Sequence, residues 1–347
     1  MIQTRLTEAY GLQHPFVSAG MAFVATVPLV RAVSAAGGLG VLGASGYPVD
    51  ALRAAIHEIR ADGNSRFGVN IIPRFNGIEH IELCALEQVP VVVFFWDDVP
   101  HDWMARLREA GSRVWIQVGS IAEARLAVRA GADALIVQGS EAGGHNRAAA
   151  ATLSLLPAVI DAVRETVPII AAGGIADGRA VAAVLALGAD GVCVGTRLLA
   201  SPEAFAHEEY KRRVVAATVA DTARHNIFGH DFPDATVRGL RNRVVMEWLG
   251  RDDPPPYKST PEGGHKVIGQ MSVGGHVMPM PRFTGLPPTP EFSGDFEEMS
   301  LLAGESVGQT NAIMPAGEIV RAMMHDAESI IARRLPALVV GSAPLES

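Results

Sequence analysis

Hydrophobic positions in the first two hundred residues fall into short apolar runs separated by amphipathic stretches. The runs Phe16–Ala19, Leu39–Gly43, Phe67–Ile71, Val91–Trp96, Val114–Val118, Ala134–Gln138, Pro168–Ala171 and Gly191–Val194 are strand-sized and show little polar–apolar alternation. Such strands are buried on both faces, as in a parallel sheet covered by helices. Between them the spacing turns helical, for example in Val27–Ala36, Ala51–Ala61, Ile121–Ala130 and Ala180–Leu187. Eight strand-then-helix units predict an α/β fold that closes as a (β/α)8 TIM barrel; an open doubly wound sheet is the alternative.

The pattern changes after about Ser201. Glu203–Thr222 reads as a helix, and Asp252–Gly294 is dense in Pro and Gly (DDPPPY, EGGHK, LPPTPEFSG). That segment makes a poor barrel strand or helix. Ile313–Leu335 is again helical in pattern. The expected organisation is a barrel over residues 1–215, a smaller inserted cap over 216–310, and a C-terminal helix in 311–347 that returns to the barrel.

Candidate chemistry begins at Val167–Ala200, which reads as strand, Gly-rich turn, helix, strand and Gly-Thr turn. Gly173-Gly174 and Gly195-Thr196 then end consecutive strands of one βα unit. Their backbone N–H groups and a hydroxyl, brought to one point, suit a phosphate, and barrels commonly hold one after strands seven and eight. Tight turns alone would also use these glycines. Two phrases repeat, AGADALIVQG (Ala130–Gly139) and LGADGVCVGT (Leu187–Thr196); each is a helix end, a Gly, an Asp and a strand entering a glycine turn. The repeat fits βα units, or reuse of one turn chemistry.

The loop after the sixth strand, Gln138-Gly139-Ser140-Glu141-Ala142-Gly143-Gly144-His145, couples a permissive backbone to a titratable ring at the catalytic end of a barrel. A histidine there can serve as general base or cationic anchor near neutral pH. Other signals carry less. Gly38–Gly43 matches GxGxxG but follows a helix and reads as the strand itself, so it is not a dinucleotide turn. His207-Glu208-Glu209 lacks a second histidine at zinc-protease spacing. His225 and His230 read as surface or cap residues, and His265 and His276 as loop residues.

Bulk properties narrow the class. Hydrophobic residues make up 48% and charged residues 19% of 347 residues, enough for a large core. A net charge of −8 without a basic block makes nucleic acid and anionic membranes poor partners. The N-terminus MIQTRLTEAYG has no signal-peptide core, and no run approaches a membrane span, so a cytoplasmic protein is expected. Cys84 and Cys193 are too few for a disulfide framework or thiolate metal site; no metal is expected. A homodimer is compatible with this composition.

QGSEAGGH, PIIAAGGIADG and CVGTRLLA, with SAGMAFVATVPLVRAVSAAGGLGVLGA, FGVN and AGES, resemble the nitronate monooxygenase (2-nitropropane dioxygenase) family of FMN enzymes. The same signatures occur in flavin-dependent enoyl-ACP reductases and NADH:quinone reductases. The resemblance covers most of residues 1–200. It implies FMN across the barrel mouth, its phosphate at Gly173, Gly174, Gly195 and Thr196, with Val194 just before them. The isoalloxazine would lie near Gly20, Met21, Asn70, Gln117, Gln138 and Gly143, and His145 would be the active-site histidine.

The implied reaction oxidises a small-molecule alkyl nitronate with O2 to a carbonyl compound and nitrite, with His145 as base or anion anchor. One alternative is an NAD(P)H-dependent reductase of an enoyl thioester, quinone or other unsaturated carbonyl compound. Others are a non-catalytic flavin-binding protein and a phosphosugar-binding barrel. The chain departs from the family at Val93-Phe94-Phe95-Trp96-Asp97, where many members have aromatic–His–aromatic, and at Asn146-Arg147. These departures bear on the substrate, and the run Val277–Phe283 fits a larger organic one.

Overall fold

The structure, a computed structural model, describes residues 1–95, 99–163, 166–228, 236–251, 266–273 and 276–339. The apolar runs form eight parallel strands: β1 (Phe16–Ser18), β2 (Gly40–Gly43), β3 (Phe67–Ile71), β4 (Val91–Phe94), β5 (Arg113–Val118), β6 (Ala134–Gln138), β7 (Ile169–Ala172) and β8 (Gly191–Val194). Each pairs with its sequence neighbour, and β8 returns to β1. The ring closes between β1 and β2: Val17 bridges Leu39, Ser18 N donates to Leu39 O at 2.9 Å, and Leu39 N to Phe16 O at 2.8 Å. The GxGxxG spacing thus falls on a barrel strand, as its context predicts. Trp96 and Asp97 of the fourth run, with His230 and His265, lie outside the described residues.

Alternate strand residues fill the barrel interior, including Val17, Leu39, Val93, Trp115, Ile136 and Cys193. Their neighbours face the surrounding helices, so each strand is apolar on both sides. The GAD repeat has one structural role in both copies. Gly131 and Gly188 leave their helices with φ of 92° and 97°, conformations that favour glycine. The carboxylates that follow accept an amide at the start of a neighbouring strand: Asp133 from Val114 N and Asp190 from Ile169 N, both at 2.8 Å.

Two expectations beyond the barrel are corrected. The helix expected over Glu203–Thr222 is confined to Glu208–Ala216. His207 Nδ1 caps it by accepting from Glu209 N, and Thr222 instead begins a strand. The C-terminal helix starts at Ala316 rather than Ile313 and runs to Ser329, followed by a π turn over Ile330–Arg334. It packs between the helices Gly178–Ala186 and Val27–Ala35. The helix after β8 is only Thr196–Leu199, so the C-terminal helix occupies the gap in the outer ring.

Strand β9 (Thr222–His225) pairs antiparallel with β10 (Val237–Leu240), which also pairs with the two-residue strand Gly144–His145 of the barrel loop. The Pro/Gly-rich segment supplies no barrel strand among its described residues. It forms a hairpin, β11 (Val267–Val273) with β12 (His276–Pro281), outside the barrel. His276 is exposed at the start of that hairpin.

His225, expected as a surface or cap residue, is only 7% exposed. Its Nδ1 accepts from Ile227 N at 3.2 Å, and its ring meets Phe228 edge-on at 5.4 Å. Burial, aided by the Arg238 charge, lowers its pKa to about 4. The unfolded chain therefore binds more protons between pH 6.5 and 4. Stability is full above that window and falls as the pH drops through it, by about 3 kcal/mol. In urea titrations across pH 7 to 4, His225→Leu is expected to flatten this acid loss; an unchanged pH slope would contradict the assignment.

Candidate active site

The C-terminal ends of the barrel strands open into a cavity of 670 Å³. Gly20, Met21, Asn70, Gln117, Gln138, Gly143, His145, Gly173, Gly174, Gly195 and Thr196 all line it. Val194 does not. It is buried at the end of β8, where its carbonyl accepts from Ala19 N at 2.9 Å.

One end of the cavity is a cradle of backbone. Gly173 and Gly174 follow β7 with φ of 105° and 72°. A Cβ on Gly173 would lie 2.9 Å from Thr152 Oγ1 and 3.2 Å from Gly139 O. Conformation and space therefore both call for glycine. Among the described residues, no hydrogen bond to the chain engages the amides of Gly174 or Thr196. Thr196 Oγ1 accepts from Gly304 N at 3.0 Å, which leaves its hydroxyl proton for the cavity. Free amides and a hydroxyl in one concavity suit an anion.

Glu141 and Thr152, which the sequence did not single out, brace this cradle. The Glu141 carboxylate accepts from Thr152 N at 2.9 Å, and Thr152 Oγ1 stands 3.1 Å from the Ala172 and Gly173 carbonyls. The histidine loop and the glycine turn are thereby tied through one residue. On the opposite side of the loop, the AGES element passes so closely that a Cβ on Gly143 would meet Gly304 N at 2.5 Å.

Polar side chains stand at strand ends around the middle of the cavity. Buried Asn70 donates Nδ2 to Val93 O at 3.2 Å, and Gln138 Nε2 donates to His145 O at 3.4 Å. Half-buried His145 pairs through its backbone with Val237. Burial pushes Cys193 up to about 12 and raises Tyr210 further, so thiol and phenol both keep their protons. Arg282 is engaged by Glu247 and Glu298, both at 2.5 Å. Among the described lining residues there is no Asp, Glu or Lys. His145 is the one histidine among the described lining residues.

The remaining wall is mostly apolar, with Arg282 and Thr284 its polar members, and was only partly foreseen. Residues 278–287 line the cavity without a break, joined by Phe23, Phe75, Phe95 and Tyr210. Phe23 and Phe283 have φ of 64° and 69°, left-handed backbone that a bulky side chain enters only when its surroundings hold it there. The ring of Phe283 is held edge-on by Trp248 at 5.3 Å.

A barrel with a glycine cradle after strands seven and eight and a histidine lining the same cavity fits a flavin-dependent oxidoreductase. The chain belongs to the nitronate monooxygenase family, whose model matches residues 3–78 and 72–326. It is 43% identical over 252 residues to a Mycobacterium tuberculosis protein, covering 70% of each chain. That protein is named (3aS,4S,5R,7aS)-5-hydroxy-7a-methyl-1-oxo-octahydro-1H-indene-4-carboxyl-CoA dehydrogenase. A protein of Staphylococcus aureus named probable nitronate monooxygenase is 32% identical over 301 residues, 74% of this chain and 83% of that one.

Among solved structures, FabK from Thermotoga maritima superposes with a TM-score of 0.79 at 33% identity, covering 98% of this chain and 100% of the other. Nitroalkane oxidase from Streptomyces ansochromogenes gives 0.74 at 28% identity, covering 96% and 99%. No helix among the described residues is long and apolar enough to cross a membrane, and no group of three or more His, Cys, Asp or Glu among them is placed to hold a metal ion.

A side chain at Gly174 would force a left-handed backbone on an L residue at the cradle. Gly174→Ala is expected to raise the Kd for the flavin cofactor at least ~10-fold, with the far-ultraviolet circular dichroism unchanged. Quenching of free flavin fluorescence measures this. Unaltered affinity would remove the cradle from the cofactor site.

Proposed function

We propose that the chain is an FMN-dependent oxidoreductase acting next to the carbonyl group of a bulky, largely apolar substrate, an acyl thioester or a comparable unsaturated carbonyl compound. The observation that carries this reading is the mostly apolar wall, contributed without a break by residues 278–287 and extended by three phenylalanines. Such a wall shields a large hydrocarbon from water and exceeds what a short nitroalkane needs. The likeness to the Mycobacterium tuberculosis protein named an octahydro-1H-indene-4-carboxyl-CoA dehydrogenase supports the thioester class. In this reading residues 216–310 act as the cap that shapes the substrate pocket.

The residues present fit FMN. The left-handed turn at Gly173-Gly174, with Gly195 and the Thr196 hydroxyl, would hold its phosphate. Gly20, Met21, Asn70, Gln117, Gln138 and Gly143 would flank its ring system. When bound, FMN supplies hydride exchange with a substrate carbon. The chain supplies the rest. The apolar wall orients the hydrocarbon and excludes water, and His145 holds or moves the proton at the carbon beside the carbonyl. With no carboxylate among the described lining residues, negative charge developing on the substrate oxygen meets no repulsion.

That same feature favours a second reading, oxidation of an anionic alkyl nitronate with O2, His145 serving as the anion's anchor. The family match and the Staphylococcus aureus relative support it.

Anaerobic mixing of the FMN-loaded enzyme with separate reductants distinguishes the readings. Cyclohexanecarboxyl-CoA, or NADPH or NADH followed by reoxidation with 1-cyclohexene-1-carboxyl-CoA, is expected to bleach and restore the flavin absorbance. Bleaching by propyl-2-nitronate alone would replace this conclusion with the second reading, and inertness to all of them would leave a non-catalytic flavin-binding protein. His145→Asn is expected to retain FMN and slow the productive reaction at least ~100-fold. Unchanged turnover per bound flavin would remove His145 from the chemistry.

A further inference from the structure

Asn146 directly follows His145 and is 0% exposed. Its side chain ties the loop to itself: Nδ2 donates to Gly139 O at 2.9 Å and to Ala142 O at 3.3 Å, while Oδ1 accepts from Ala148 N at 2.9 Å. Its backbone ties the loop to the post-barrel segment. Asn146 N donates to Thr236 O at 2.9 Å, and Asn146 O accepts from Thr236 Oγ1 at 2.5 Å and Arg224 Nη2 at 3.2 Å. Both protons of the side-chain amide and both backbone groups are thus committed at the residue next to the histidine.

We propose that Asn146 is a positioning residue that fixes His145 at the cavity, and that Thr236 and Arg224 hold Asn146 from the post-barrel segment. The inference rests on the role given above to His145. The contacts have a direction that loop filling alone does not require. The side chain closes the turn from Gly139 to Ala148, whose far limb carries Gly143, Gly144 and His145 into the cavity lining. The backbone bonds continue the antiparallel pairing of Gly144–His145 with Val237 and Arg238, so the histidine's position along the strand is set by the post-barrel strand. Arg238 adds a second tie across the same junction, its Nε donating to Ser140 O at 2.9 Å. An alanine at 146 would leave the buried carbonyls of Gly139 and Ala142 without this donor and free the loop to shift. Displacement of a catalytic group by about 1 Å costs on the order of 100-fold in rate.

The test uses the FMN-loaded enzyme reduced by dithionite and reoxidised anaerobically with 1-cyclohexene-1-carboxyl-CoA; if propyl-2-nitronate proves the productive probe, its reduction of the oxidised enzyme replaces this step. Asn146→Ala is expected to lower the limiting rate 10- to 100-fold, to change its pH profile, and to leave the FMN Kd within 2-fold. Thr236→Val is expected to lower the rate in the same sense, with Thr236→Ser restoring it. A rate and pH profile unchanged in Asn146→Ala, or a loss explained wholly by departed flavin, would overturn the proposal. Should Asn146→Ala fail to fold, the Thr236 pair decides, and equal rates in Val and Ser variants overturn it. A normal rate in His145→Asn would instead remove the underlying role of the histidine. Loss in His145→Asn with none in the other variants would sink the positioning role alone.

Discussion

The site depends on a loop of ten residues, Gly139 to Ala148, that cannot drift from the barrel mouth. Its near limb is tied to the glycine turn through Glu141 and Thr152, and its far limb to the post-barrel strands through Asn146 and Val237. Between these anchors the AGES element passes within van der Waals limits of Gly143, a position that admits no side chain. Polar groups in a poorly solvated loop cost free energy unless paired, so each tie also satisfies backbone that burial would otherwise penalise. Rigidity and polar satisfaction are one constraint here. The glycine turn and the histidine are consequently held on a common frame, which in the function proposed above is the preorganisation that catalysis by positioning requires.

Much of the barrel was legible because its physics is local. A strand buried on both faces must be apolar throughout, and each of the eight runs from Phe16 to Val194 announced itself that way. The glycine turns were legible for the same reason: Gly173 and Gly174 occupy backbone conformations that other residues resist. The helix over Glu203–Thr222 was misjudged because its ends are set by tertiary partners. Thr222 is drawn into a strand opposite Leu240, a pairing across eighteen residues that no local pattern encodes. His225 lies within the expected cap span but not at its surface; it is buried where its ring meets Phe228 and its strand pairs with Val237. Asn146 and Thr152 carry no motif of their own, and only the fold reveals what their side chains reach.

The cavity joins two unlike surfaces, and that contrast underlies its chemistry. Backbone amides and strand-end amide side chains make the barrel side polar and fixed. The hairpin and the chain after it make the opposite side an apolar wall, reinforced by Phe23 and Phe283 in strained backbone. Family membership gives the redox class; in the function proposed above, substrate choice rests with the apolar side, which includes Phe95 from the segment where this chain departs from the family's usual pattern. A wall drawn largely from one contiguous segment can vary without disturbing the glycine turns, which fits the spread of names among the relatives.

The most direct measurement is a crystal structure of the FMN-loaded protein with cyclohexanecarboxyl-CoA under anaerobic conditions. The account predicts the phosphate of FMN at Gly173, Gly174 and Thr196, with the acyl ring between the flavin, His145 and the wall of residues 278–287. A phosphate elsewhere, or an acyl group bound away from His145 and that wall, would contradict it.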